Sequence, residues 1–111
     1  MPSVQEAFRR ATIGDAAFIA AIGDAESTDI DIHRLDARTE ALLRIAALIS
    51  VDAPPSSYRA AVEAAQRAGA RLDDLFAVLV AVARDVGSAR IVAAAPRIAL
   101  AAGYDVEAAL E

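Results

Sequence analysis

Thirty of the 111 residues are alanine, and that fact restricts the fold more than any other. Alanine has the highest helix propensity and adds almost no bulk. A chain so rich in it builds its core by bringing helices close together, not by filling space with large side chains. The larger apolar residues fall at spacings of three and four almost throughout, the period of a helix buried on one face. No run alternates like a strand, and no Asn-Gly or Asp-Gly pair marks a hairpin. At 11.5 kDa the chain forms a single small domain. The fold class predicted is all-α, a bundle of about six helices, with residues 1–34 as N-terminal helices and an arm and 35–111 as the main body.

Punctuation along the chain gives the helix order. Ser3 caps a first helix, and Glu6 three residues on completes a capping-box pattern. Val4, Phe8 and Ala11 share a face of that helix. Asp15 caps a second, short helix carrying Phe18, Ile19 and Ile22, which Gly23 ends. Residues 24–35 read as a loop or extended arm. Asp36 caps a third helix that must stop before Pro54-Pro55. A fourth starts at Ser56 or Ser57 and ends near Ala68, where Gly69 supplies a left-handed cap. Leu72–Val86 forms a fifth, with Asp73 and Asp74 in the first turn, where the helix dipole favours them. Gly87 stops it and Ser88 caps a sixth, inside which Pro96 predicts a kink or break. Gly103 ends the sixth, and Asp105 caps a last turn.

What the chain lacks excludes whole classes of chemistry. It contains no cysteine, hence no disulfide framework, thiolate metal site, redox couple or thiol nucleophile. All eleven basic residues are arginine, so Schiff-base chemistry and the P-loop lysine are absent. His33 is the single histidine. A net charge of −5, with the arginines scattered, argues against binding to nucleic acid or to anionic lipid. The apolar runs are shorter than the roughly 20 residues that span a bilayer, and MPSVQEAFRR is not followed by an apolar signal region. The expected location is cytoplasmic.

The fifth and sixth helices are apolar on too many sides for a small monomer, because a helix apolar all round is buried all round. Leu72, Leu75, Phe76, Val78, Leu79, Val80, Val82 and Val86 nearly encircle the fifth. The expected partner is another copy of the chain.

The stretches LDARTEALLRIAALI and SSYRAAVEAAQRAGARLDDLFAVLVAVARDVGSARIVAAAP, within residues 35–104, resemble the carboxymuconolactone decarboxylase and alkylhydroperoxidase D family. The matching features are Leu35-Asp36, Leu42, Ala46 and Leu48, then Ala68-Gly69-Ala70 with Asp73-Asp74-Leu75, then Val86-Gly87-Ser88-Ala89. The resemblance implies an alkylhydroperoxidase D-like all-helical fold assembling as trimers or hexamers, without a cofactor. It also implies where the active site would lie. The hydroperoxidase branch carries C-x-x-C-x-x-x-H ahead of the Ala-Gly pair. Counting back from Gly69 places those positions at Pro54, Ser57 and Ala61. Thiol peroxidase chemistry needs an attacking thiolate and a resolving thiol, and this chain has neither. The decarboxylase branch favours a proton-transferring histidine where Ala61 stands.

The implied reading is a family-like module with little claim to be an enzyme, non-catalytic or binding a small apolar ligand. Its pocket candidates are Ser57, Tyr58, Ala61 and Phe76. An alanine at position 61 leaves either a void or a space refilled by Phe76 or Tyr58, and refilling is favoured because cavities cost stability. The alternative is a decarboxylase or lactone-type enzyme using Glu40, or groups from a neighbouring subunit. Glu40 reads equally as a first-turn acid. Arg59 is expected to pair with Glu63. Asp29, Asp31 and His33 alternate with isoleucines, so an extended arm would point all three one way. That is the single pattern suggesting a cation, and it reads more simply as a wetted edge, so no metal is expected. Ser57 with His33 as base would be the only nucleophilic pair.

Overall fold

A computed structural model describes residues 2–104 apart from 25, 28, 29, 31 and 32. Among the described residues it is all-helical and contains no strand. The six helices are α1 (Val4–Thr12), α2 (Ala16–Ile22), α3 (Ala37–Ser50), α4 (Pro55–Arg67), α5 (Leu72–Val86) and α6 (Ser88–Ala101). No helix is long and apolar enough to cross a membrane among the described residues. The chain divides into two compact units, Met1–Leu35 and Asp36–Glu111.

Most helix starts are set by side chains that accept the first free amides. The Ser3 hydroxyl accepts from the Glu6 amide at 3.1 Å, Asp15 from the Phe18 amide at 3.1 Å, and Asp36 from the Thr39 amide at 2.8 Å. The Glu6 carboxylate does not close the capping box; it takes a bidentate grip from Arg9 at 2.7 and 2.9 Å. At α5 the Asp74 carboxylate accepts from the Arg71 amide at 2.8 Å and pairs with Arg38 of α3 at 2.6 Å. The same acid therefore starts one helix and fastens it to another.

Two boundaries differ from the sequence reading. The fourth helix begins at Pro55, ahead of both serines. Proline suits the first helical position, where no amide bond is needed, while Pro54 before it stays extended at φ −69°, ψ 160°. Gly87, not Ser88, precedes α6: at φ 86°, ψ 158° it ends one helix and opens the next. The sixth helix runs unbroken through Pro96. Pro96 and Val92 both lie on its exposed side, so the Val92 carbonyl that loses its amide partner faces water. The expected cap at Asp105 lies outside the described residues.

In the N-terminal unit, α1 and α2 pack around Phe18, the one residue there that is buried among those described. Ile19 and Ile22, which share its sequence face, remain exposed. The Arg10 guanidinium lies 4.5 Å from the Phe18 ring centre and reaches Asp15 at 3.3 Å. Within 24–35, the His33 amide donates to the Ile30 carbonyl at 2.9 Å, a turn and not an extended strand.

The second unit holds the main core, with α3 against α4 and α5, and α6 against α4 and α5. Ile45 and Ile49 of α3, Tyr58 and Val62 of α4, and Leu75 of α5 are fully enclosed. Ala61, Ala65 and Ala94 fill the positions between them. Small residues at those sites let helix axes approach closely, as the composition demands.

Candidate ligand cleft between the third and fourth helices

The third helix places Arg44, Ala47 and Leu48 on one face at spacings of three and four; the fourth does the same with Ser57, Ala60 and Ala61. Where these faces meet they line a shallow cleft of about 350 Å³. Ala61 sits at its floor, 8% exposed. Its methyl group belongs to the main core as well, so position 61 points inward, as the register counted from Gly69 requires.

The cleft is apolar except at two points. The half-buried Ser57 hydroxyl is one and the Arg44 guanidinium the other. Arg44 is exposed and makes no ion pair with any described residue, which is equally true of Arg59, Arg67, Arg71 and Arg84. No carboxylate or imidazole lines the cleft. An apolar floor with a hydroxyl and an unpaired guanidinium can bind and orient a small anion, but it holds no group that moves a proton near neutral pH.

The four pocket candidates do not converge. Ser57 and Ala61 share the cleft. Tyr58, between them in sequence, is wholly enclosed in the core beside Ala61 and does not line the cleft. Phe76 is 65% exposed on α5 and lines a different groove, with Leu72, Ala95, Ala99 and Tyr104. Position 61 is therefore not refilled by Phe76. Glu40 is half-buried in the first turn of α3 and is not among the residues lining the cleft. Arg59 and Glu63 are both exposed and form no ion pair with each other.

Tyr58 brings the one buried polar atom without a hydrogen-bond partner among the described residues, its phenolic oxygen. Burial pushes this phenol above its ordinary value; the nearby Arg97 charge works against that shift and Asp52 adds to it. Asp52 belongs to the α3–α4 turn and Arg97 to α6. Asp52 stands at φ 53°, a left-handed conformation that aspartate tolerates better than most residues. Arg97 of α6 donates to the Asp52 carboxylate at 3.1 Å and to the Ala53 carbonyl at 2.8 Å, and Arg90 stands 3.8 Å from the same carboxylate. The turn that leads into the cleft helix is thus held in place by the last helix.

His33 lies in the N-terminal unit, its Nε2 3.1 Å from the Pro2 carbonyl. Asp29 and Asp31 lie outside the described residues. Among those described, no group of three His, Cys, Asp or Glu residues stands close enough to hold a metal ion.

The cleft residue that the sequence does not single out is Arg44, one of the scattered arginines, which is exposed. Its spacing to Ala47 and Leu48 was the available signal, since it puts the guanidinium on an otherwise apolar helix face. Comparison with known protein families, with curated proteins and with solved structures finds no match for this chain.

Proposed function

We propose that the protein is a non-catalytic helical binding module, similar in plan to the carboxymuconolactone decarboxylase family, whose cleft over Ala61 holds a small ligand with an apolar body and one carboxylate. The observation that carries this reading is the pairing of an apolar floor with the unpaired Arg44 guanidinium. A guanidinium grips a carboxylate through two parallel hydrogen bonds. The Ser57 hydroxyl adds a third polar contact, and Ala47, Leu48, Ala60 and Ala61 receive the hydrocarbon part. Small pockets of this kind bind through apolar contact and use a few polar groups for orientation.

The family resemblance supports the same conclusion from another side. Position 61, which would carry the proton-transferring histidine, is an inward-facing alanine, and the thiol positions are Pro54 and Ser57. Self-association belongs to this reading too, because Leu72, Phe76, Val80, Val92 and Leu100 all remain exposed.

Isothermal titration with benzoate and hexanoate, beside their neutral amides, tests the proposal. Both acids should bind and the amides should not, and Arg44→Gln should abolish acid binding while leaving helicity unchanged. Equal binding of acid and amide, or acid binding that survives Arg44→Gln, would overturn it.

A further inference from the structure

The outer face of α5 is apolar along its middle and charged at both ends. Leu72, Phe76 and Val80 recur every four residues and are 50%, 65% and 64% exposed. The smaller Ala77 and Ala81 sit beside them, also exposed. At the N-terminal end stand Arg71 and Asp73, and at the C-terminal end Arg84 and Asp85, all exposed. None of these four charges forms an ion pair with a described residue.

We infer that this face pairs with the same face of a second copy, the two α5 helices running antiparallel about a two-fold axis near Val78. The charge order selects both the partner and the direction. Antiparallel pairing places Phe76 opposite the second copy's Val80 and Asp73 opposite its Arg84, both charges lying within about 80° of Phe76 around the helix. Parallel pairing would set each charge against its own like. Opposed helix dipoles favour the antiparallel arrangement as well, and a two-fold interface needs a self-complementary surface such as this. Ala77 and Ala81 allow the backbones to approach.

The area is adequate. With roughly 150–230 Å² for a fully exposed large apolar residue, Leu72, Phe76, Val80 and the adjoining Tyr104 offer about 450 Å² per chain. That exceeds half of the roughly 800 Å² that each partner buries in a stable dimer, before the alanines and the charged ends are counted. The inference rests on the self-association proposed above and is independent of the ligand, which concerns another pair of helices.

Light scattering on the full chain at micromolar concentration, with circular dichroism alongside, provides the test. The expected assembly contains two chains or a multiple of two, and Phe76→Glu reduces its mass at least twofold without loss of helicity. Asp73→Arg and Arg84→Asp each weaken it, and the two together restore it, which keeps the test valid should Phe76→Glu unfold. A mass of one chain, as when the chain's own N-terminal unit covers α5, would overturn the inference. So would an odd number of chains, an assembly indifferent to Phe76→Glu, or a charge swap that fails to restore association.

Discussion

Replacing Ala61 by histidine separates a cleft from a filled core. Ala61 lines a cleft of about 350 Å³, so an imidazole has room to extend between Arg44, Ser57 and Ala47 without displacing core side chains. The cost that remains is the lower helix propensity of histidine, about 0.5–0.7 kcal/mol. Ala65, one turn further along the same helix, is the control. It is 0% exposed and belongs to the core without lining the cleft, so Ala65→His should add an overpacking penalty of about 1–3 kcal/mol. The penalty for burying a polar ring adds to that. Urea denaturation followed by far-ultraviolet circular dichroism reads both variants. The expected result is Ala61→His within about 1 kcal/mol of the parent protein and Ala65→His at least 2 kcal/mol below it. Equal losses would show that position 61 is as tightly filled as position 65 and would remove the cleft.

Three further perturbations address other parts of the account. Tyr58→Phe removes a buried hydroxyl without a described partner, so it should leave urea stability unchanged or raise it by up to about 1 kcal/mol; a loss of more than that would mean the hydroxyl is satisfied. Arg97→Ala strips both the Asp52 carboxylate and the Ala53 carbonyl and should lower stability by about 1–3 kcal/mol, a forecast that a change below about 0.5 kcal/mol would refute. The Phe18, Thr39 and Arg71 amides hold the Asp15, Asp36 and Asp74 carboxylates below their ordinary range. Their contribution is fully present above the unfolded value near about pH 4 and is lost as pH falls through the lower folded values. Melting temperature should therefore hold from neutral pH to about pH 5 and then drop, and a flat profile down to about pH 2 would contradict it.

The helices were readable because their ends are written locally. Ser3, Asp15 and Asp36 each accept an amide three residues on, a relation confined to one turn. Leu72–Val86 is marked by acids in its first turn and Gly87 after it. The start of α4 was misplaced because proline serves two opposite roles: Pro54 blocks a helix and Pro55 begins one. Pro96 does not break α6. Its cost depends on whether the orphaned carbonyl is wet, and that is set by the packing of α6, not by its sequence.

The site was legible only in part. Position 61 is reached by counting eight residues back from Gly69, just past the end of α4, and it is buried. The cleft exists only where α3 meets α4, so no pattern within one helix marks Arg44 as lining it, and Phe76 is turned outward on α5. Side-chain period gives a residue's face; it does not say which helix lies opposite.

The central claim is that the surface over Ala61 binds a carboxylate and performs no proton transfer. Amide resonances followed by nuclear magnetic resonance during a benzoate titration test it most directly. The account predicts saturable shifts concentrated at Arg44, Leu48, Ser57 and Ala61, absent with benzamide. Shifts centred on α5 and α6, or none at millimolar benzoate, would contradict it.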